Sequence, residues 1–147
     1  MTARLLLGQT LEFDANPFLQ GRSAARHRSS GGVLLRDGVI VDVADAMDLR
    51  AAHPQVEIVD HGDDLILPGF VDAHVHYPQT GIIASWGRRL IDWLNTYTFP
   101  EEMRFGNRAY ADRMAGLYLD FSLANGITTA ASFCTIHPES VDAFFTA

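Results

Sequence analysis

The sequence predicts an α/β fold in two parts: a small β unit over residues 1–67, then a strand–helix–strand–helix succession over residues 68–147. Three observations predict it. Short apolar runs broken by Asn16-Pro17, Asp37-Gly38 and Pro68-Gly69 fill the first part, as in strands joined by turns. After Pro68, two compact apolar runs are separated by segments with apolar residues at helical spacing, the βαβ pattern of a parallel sheet. Finally, 48% hydrophobic and 20% charged residues over 147 positions, at a mean hydropathy of +0.04, suit a globular chain with a core rather than a disordered tail.

Taken in order, residues 4–13 read as a first strand rich in leucine. Residues 14–32 read as a loop opened by Asn16-Pro17, and its cluster Arg22, Arg26, His27 and Arg28 as a solvated surface, anion contact being the alternative. Residues 33–35 and 39–43 flank Asp37-Gly38, a strong hairpin signal. Residues 44–53 suit a short helix stopped by Pro54. Residues 56–59 form a strand, 61–64 a turn, and 65–67 a strand halted by Pro68-Gly69. Phe70–His76 is the next strand, with Phe70, Asp72, His74 and His76 on one face. Val71, Ala73 and Val75 are left on the other face to pack against helices. Residues 82–96 carry helical spacing, Phe99-Pro100-Glu101-Glu102 resembles a helix entry, and 103–124 form a long helix closed by Asn125-Gly126. Ile127–Phe133 is strand-like, and His137-Pro138-Glu139 starts a last helix. Parallel strands are rarely stable as a pair, so the chain is expected to end in mid-architecture.

Composition excludes several functions. Eleven basic residues, all Arg, against eighteen acidic ones give a formal charge of −7, which speaks against nucleic acid as the main partner. The lone Cys134 excludes an intramolecular disulfide framework and a CxxC zinc knuckle. No signal peptide and no run of about 18 apolar residues is present, so no membrane role and a cytoplasmic home are expected.

The chemistry concentrates in His74-Val75-His76. Residues i and i+2 of a strand point the same way about 6.5 Å apart, so two neutral imidazoles there can converge on one divalent ion, zinc or iron. The structural alternative is a pair of hydrogen-bonded histidines. Asp72, on the same face, suits either a carboxylate that orients a ligand or a simple hydrogen-bond acceptor. Two histidines do not complete a zinc site. His27, His53 and His61 read as surface residues, and His137, after the second strand, as a residue of the same rim. Trp93, spaced with Leu90 and Leu94, reads as core ahead of pocket wall. No HxE with a downstream CxxC, GxSxG, Walker A or glycine-rich dinucleotide pattern occurs.

Pro68-Gly69-Phe70-Val71-Asp72-Ala73-His74-Val75-His76 resembles the first-strand signature of the amidohydrolase superfamily. Tyr77-Pro78-Gln79, the run from Leu90 to Glu102, Asn125-Gly126-Ile127-Thr128-Thr129-Ala130 and Thr135-Ile136-His137 are similar to the guanine deaminase family within it. The resemblance spans residues 67–140, half of the chain. It implies the start of a metal-dependent-hydrolase (β/α)8 TIM-like barrel over residues 68–147, preceded by the N-terminal part of a small β-sandwich side domain over residues 1–67. It implies His74 and His76 as the first two ligands of one ion, Zn2+ with Fe2+ as the alternative, and Gln79 as a contact to the purine. The remaining ligands and the proton relay are implied on later strands, so no catalytic residue is expected in this chain. A barrel takes roughly 250 residues, which makes the chain an N-terminal piece. The activity implied for the complete enzyme is hydrolytic deamination of guanine to xanthine and ammonia in purine catabolism, by a homodimer. The alternatives are another amidohydrolase acting on a heterocycle, a piece that is non-catalytic as it stands, and a small metal- or nucleic-acid-binding module using the Arg22–Arg28 cluster.

Overall fold

The computed structural model describes residues 2–147. The chain divides into two compact units, Met1–Pro68 and Gly69–Ala147. In the first, β1 (Ala3–Phe13), β2 (Ala25–Arg36), β3 (Val39–Asp45) and β4 (Glu57–Ile66) form one sheet in the order β3-β2-β1-β4. β1 pairs antiparallel with β2 and parallel with β4. Two short helices, α1 (Pro17–Gln20) and α2 (Ala46–Ala52), complete the unit. Leu5, Leu7 and Leu34 of the sheet and Leu49 of α2 form its core. Between β2 and β3, Asp37 (φ 48°) and Gly38 (φ 83°) both adopt the left-handed conformation of a type I′ hairpin turn, which explains the Asp-Gly pair.

Two expectations for this unit are corrected. Residues 14–32 are not a loop: α1 is followed by a 3-10 turn at Gly21–Ala24, and β2 begins at Ala25. Within the charged cluster, Arg26 Nε donates to Asp14 just after β1 at 2.6 Å, Arg28 pairs with Glu12 of β1, and His27 meets Gln9 of β1. Gly31, which reads as a loop glycine, is a strand glycine of close approach. A Cβ there would stand 2.3 Å from Thr10 Oγ1. Residues 56–67 are likewise not two strands about a turn but the single strand β4 with an outward bulge. Leu7 pairs with Asp60 while Gln9 pairs with Leu65, and the Gly62 amide donates to Asp60 Oδ1 at 2.9 Å inside the bulge.

In the second unit β5 (Phe70–His76) and β6 (Ile127–Phe133) pair in parallel, connected through α3 (Leu90–Trp93), α4 (Phe99–Met103) and α5 (Arg108–Ala124), with α6 (Pro138–Thr146) last. Gly69 leads into β5 against Thr128, whose Oγ1 lies 2.0 Å from where a Cβ would stand, so no other residue fits. The core is Tyr77, Phe105, Ala111, Met114, Ala115, Tyr118 and Ala143. The Tyr77 ring meets Phe105 edge-on at 5.5 Å and stacks on Phe144 at 5.0 Å. Its hydroxyl donates to the Ser140 carbonyl, and burial pushes the phenol up to about 12.

Here too the local reading is corrected. Residues 82–96 are not one helix: Tyr77–Ile82 winds as 3-10 turns, and the helix begins only at Leu90. Ile83 and Trp86 are 71% and 76% exposed, so their helical spacing marks no buried face, and Ala84 (φ 63°) breaks the run. Pro100 stands in the first turn of α4 with Glu101 and Glu102, as expected of a helix entry. What the sequence does not show is that α4 has no free start: a π-helical turn, Leu94–Thr98, joins it to α3. The long helix starts at Arg108 rather than 103, because Asn107 Oδ1 accepts from the Tyr110 amide at 3.1 Å as its N-cap. Gly126 (φ 76°) closes it. Of the β5 face expected to pack on helices, Val75 packs against the core, whereas Val71 is 68% exposed.

Candidate metal centre

His74 and His76 close the C-terminal end of β5. The pairing register slips between Asp72 and Val75, a bulge of the kind that aims side chains at strand ends. Their ring centres stand 5.4 Å apart, and both lie against Phe133 of β6, at 5.0 and 4.8 Å. Two ring nitrogens each about 2.0–2.1 Å from a tetrahedral ion hold their ring centres roughly 5 Å apart. The pair therefore fits two positions of such a site in donor type and separation. Among the described residues, no group of three or more His, Cys, Asp or Glu side chains is placed to hold a metal ion. Asp72 does not orient an imidazole; its Oδ1 accepts the His74 backbone amide at 3.1 Å.

The 3-10 turn after β5 carries Gln79 into the same groove, a cavity of about 510 Å³ lined by His74, His76, Gln79, Trp93 and Tyr118 among others. Gln79 Nε2 donates to Glu102 Oε1 of α4 at 3.1 Å. Trp93 is a groove wall rather than core, held by its Nε1 donating to the Ser85 carbonyl at 3.0 Å. His137 is not among the lining residues. It precedes α6 with its ring against Gly106, and its Nε2 is buried without a partner.

Sequence reasoning missed Phe133 and Glu102. The parallel register of β5 and β6, which sets Phe133 beside His76, was the signal for the first. For the second, the tandem acids Glu101-Glu102 read only as charges matched to a helix dipole. The helical step of 100° per residue sends them to different partners. Glu102 meets Gln79, while Glu101, 6% exposed, accepts from Arg104 at 2.7 Å and from the Tyr110 hydroxyl. Burial, then the bond to Glu101, pushes the Tyr110 phenol up to about 12.

The chain resembles known proteins over most of its length. It is 39% identical over 126 residues to the guanine deaminase of Escherichia coli (strain K12), a match covering 85% of this chain and 29% of that protein. The crystal structure of guanine deaminase from Bradyrhizobium japonicum superimposes with a TM-score of 0.91 at 34% identity, over 99% of this chain and 32% of that one. The chain belongs to the guanine deaminase family. A guanine deaminase from C. acetobutylicum with bound guanine in the active site superimposes with a TM-score of 0.80 at 27% identity, over 99% of this chain and 33% of that one. The family described as "Imidazolonepropionase-like composite domain, bacteria" matches residues 31–55. This guanine deaminase family chain thus spans about a third of the length of its relatives. Among its described residues no helix is long and apolar enough to cross a membrane.

Proposed function

We propose that the complete protein containing this chain hydrolyses guanine to xanthine and ammonia. In this reading, residues 68–147 are the first two β/α units of its metal-dependent-hydrolase barrel, and residues 1–67 contribute to a β-sandwich side domain. His74 and His76 are the first two ligands of a single divalent ion, Zn2+ with Fe2+ as the alternative, and Gln79 binds the purine. The observation that carries this reading is the convergence of two imidazoles and one carboxamide on a single groove, in a chain 39% identical to a guanine deaminase.

A divalent ion held there supplies Lewis acidity and lowers the pKa of a water molecule toward neutrality. The chain's own residues do the rest of what this segment contributes. The two imidazoles act as neutral nitrogen donors from one strand, and Phe133 stacks on His76 and lies tilted against His74, limiting their rotation. Trp93 supplies a flat apolar wall suited to a heterocycle, and Gln79 supplies hydrogen-bonding capacity for its polar edge. The proton relay and remaining ligands belong to later strands of the barrel. The active assembly is a cytoplasmic homodimer.

The test is ammonia release by the full-length protein from guanine and from a panel of aminated purines, pyrimidines and triazines. Guanine as the best substrate supports the reading; preference for another heterocycle overturns it. The match of residues 31–55 to the imidazolonepropionase-like family favours one second reading, an amidohydrolase of a different nitrogen heterocycle, which the same panel detects.

A further inference from the structure

Gln79 and Glu102 stand on different elements, the Tyr77–Ile82 turn and α4, and their contact is a choice of which end of the amide faces the carboxylate. An ionised carboxylate only accepts hydrogen bonds, so only the amide NH2 can face it at 3.1 Å. The orientation of Gln79 is thereby fixed by chemistry, and its carbonyl Oε1 is left for a ligand in the groove. The helix that carries Glu102 is docked by the residue before it. Glu101 is buried against Arg104 and the Tyr110 hydroxyl. It also presses on the Tyr77–Ile82 turn where Gly81 leaves room, since a Cβ at Gly81 would stand 2.5 Å from Glu101 Oε1. The two adjacent acids divide the work: one docks the helix on the turn, and the other reaches the glutamine.

We propose that Glu102 is a positioning residue that locks Gln79 with its carbonyl toward the substrate, so that Gln79 recognises a ring N–H donor. This rests on the guanine deaminase reading above. In guanine the carbon that loses its amine is flanked by the N1–H donor. In 2-aminopurine the same carbon carries the same amine, but N1 is an acceptor. A carbonyl presented by Gln79 therefore favours guanine, whereas an amide turned the other way favours 2-aminopurine.

The experiment compares wild type with Glu102→Ala, Glu102→Gln and Glu102→Lys in the full-length protein. It measures kcat and KM for guanine and for 2-aminopurine, inhibition by xanthine, and bound metal. With Glu102→Ala, KM for guanine and the xanthine inhibition constant should rise about tenfold, the scale of one hydrogen bond to a charged group, with kcat and metal little changed. Glu102→Gln should restore both to within about threefold, because a carboxamide oxygen accepts the same N–H. Glu102→Lys, a donor, should turn the Gln79 amide round and lower the guanine to 2-aminopurine selectivity by about tenfold or more. Unchanged KM in Glu102→Ala, equal damage in Glu102→Gln, or unchanged selectivity in Glu102→Lys each overturns the proposal. Should Glu102→Ala fail to fold, the isosteric Gln variant and the Lys variant, which keeps the aliphatic stem, decide it. Wild type without guanine turnover overturns the functional reading itself, whereas an active wild type with indifferent variants overturns only the role of Glu102.

Discussion

Replacing Gln79 with alanine in the full-length protein tests substrate recognition most closely. The side chain is half-buried, lines the groove with both histidines, and spends one N–H on Glu102 at 3.1 Å. Truncation has two consequences of unequal size. Glu102 loses a donor, but it is half-exposed and water replaces the lost bond at little cost. The purine loses its partner inside the groove, and an unpaired buried polar group costs about 1–3 kcal/mol, roughly ten- to a hundredfold in kcat/KM. Bound metal should not change, because the amide is not a ligand. Gln79→Glu should be worse than alanine. It sets one carboxylate against another where the amide now donates at 3.1 Å, and like charges about 4 Å apart repel by about 4 kcal/mol at an effective dielectric of about 20. Steady-state ammonia release from guanine, with metal analysis of each variant, makes the comparison. Equal kinetics in wild type and Gln79→Ala would refute the assignment of Gln79 to the purine.

Other outcomes follow from the second unit. Tyr77 and Tyr110 are raised to about 12 in the folded state, against about 10 when unfolded, so their stabilising contribution is complete below pH about 10. It is lost as pH climbs from about 10 to about 12. Alkaline unfolding that ignores this window in wild type, or is unaltered in Tyr110→Phe, would contradict it. Gly81→Ala drives a Cβ to 2.5 Å from Glu101 Oε1 and should destabilise the protein by about 1–3 kcal/mol, read as a lowered Tm; an unchanged Tm counts against the Glu101 clamp. The 147-residue chain alone should bind zinc weakly, release no ammonia, and self-associate through Phe70, Val71 and the open strand edges, so a cooperatively melting monomer active on guanine would overturn that expectation.

Much of the second unit was legible in the sequence for local reasons. Phe70–His76 and Ile127–Phe133 are short apolar runs bounded by Pro68-Gly69 and Asn125-Gly126, and punctuation of that kind marks strand starts directly. His74 and His76 share a side because strand period two requires it. What stayed hidden depends on partners distant in sequence. The strand character of 25–32 resides in Thr10 and Glu12 across the ladder and Asp14 just beyond it, not in its own Arg, Ser and Gly residues. The Ile83 and Trp86 spacing imitates a helical face that no neighbour covers. The helix entry at Pro100 was legible, but the π turn that joins it to α3 cannot be read from composition. Gln79 and Glu102, 23 residues apart, meet only once α4 has docked on the turn after β5.

The proposed role of His74 and His76, holding the ion on which guanine hydrolysis would depend, is tested by metal analysis combined with ammonia release for full-length wild type, His74→Ala and His76→Ala. Wild type should carry one divalent ion per chain, each variant should lose it or bind it far more weakly, and turnover should fall by several orders of magnitude, since losing a ligand removes an effect worth several kcal/mol in the barrier. Full metal occupancy and near-wild-type turnover in His74→Ala and His76→Ala would make the pair structural and contradict the account.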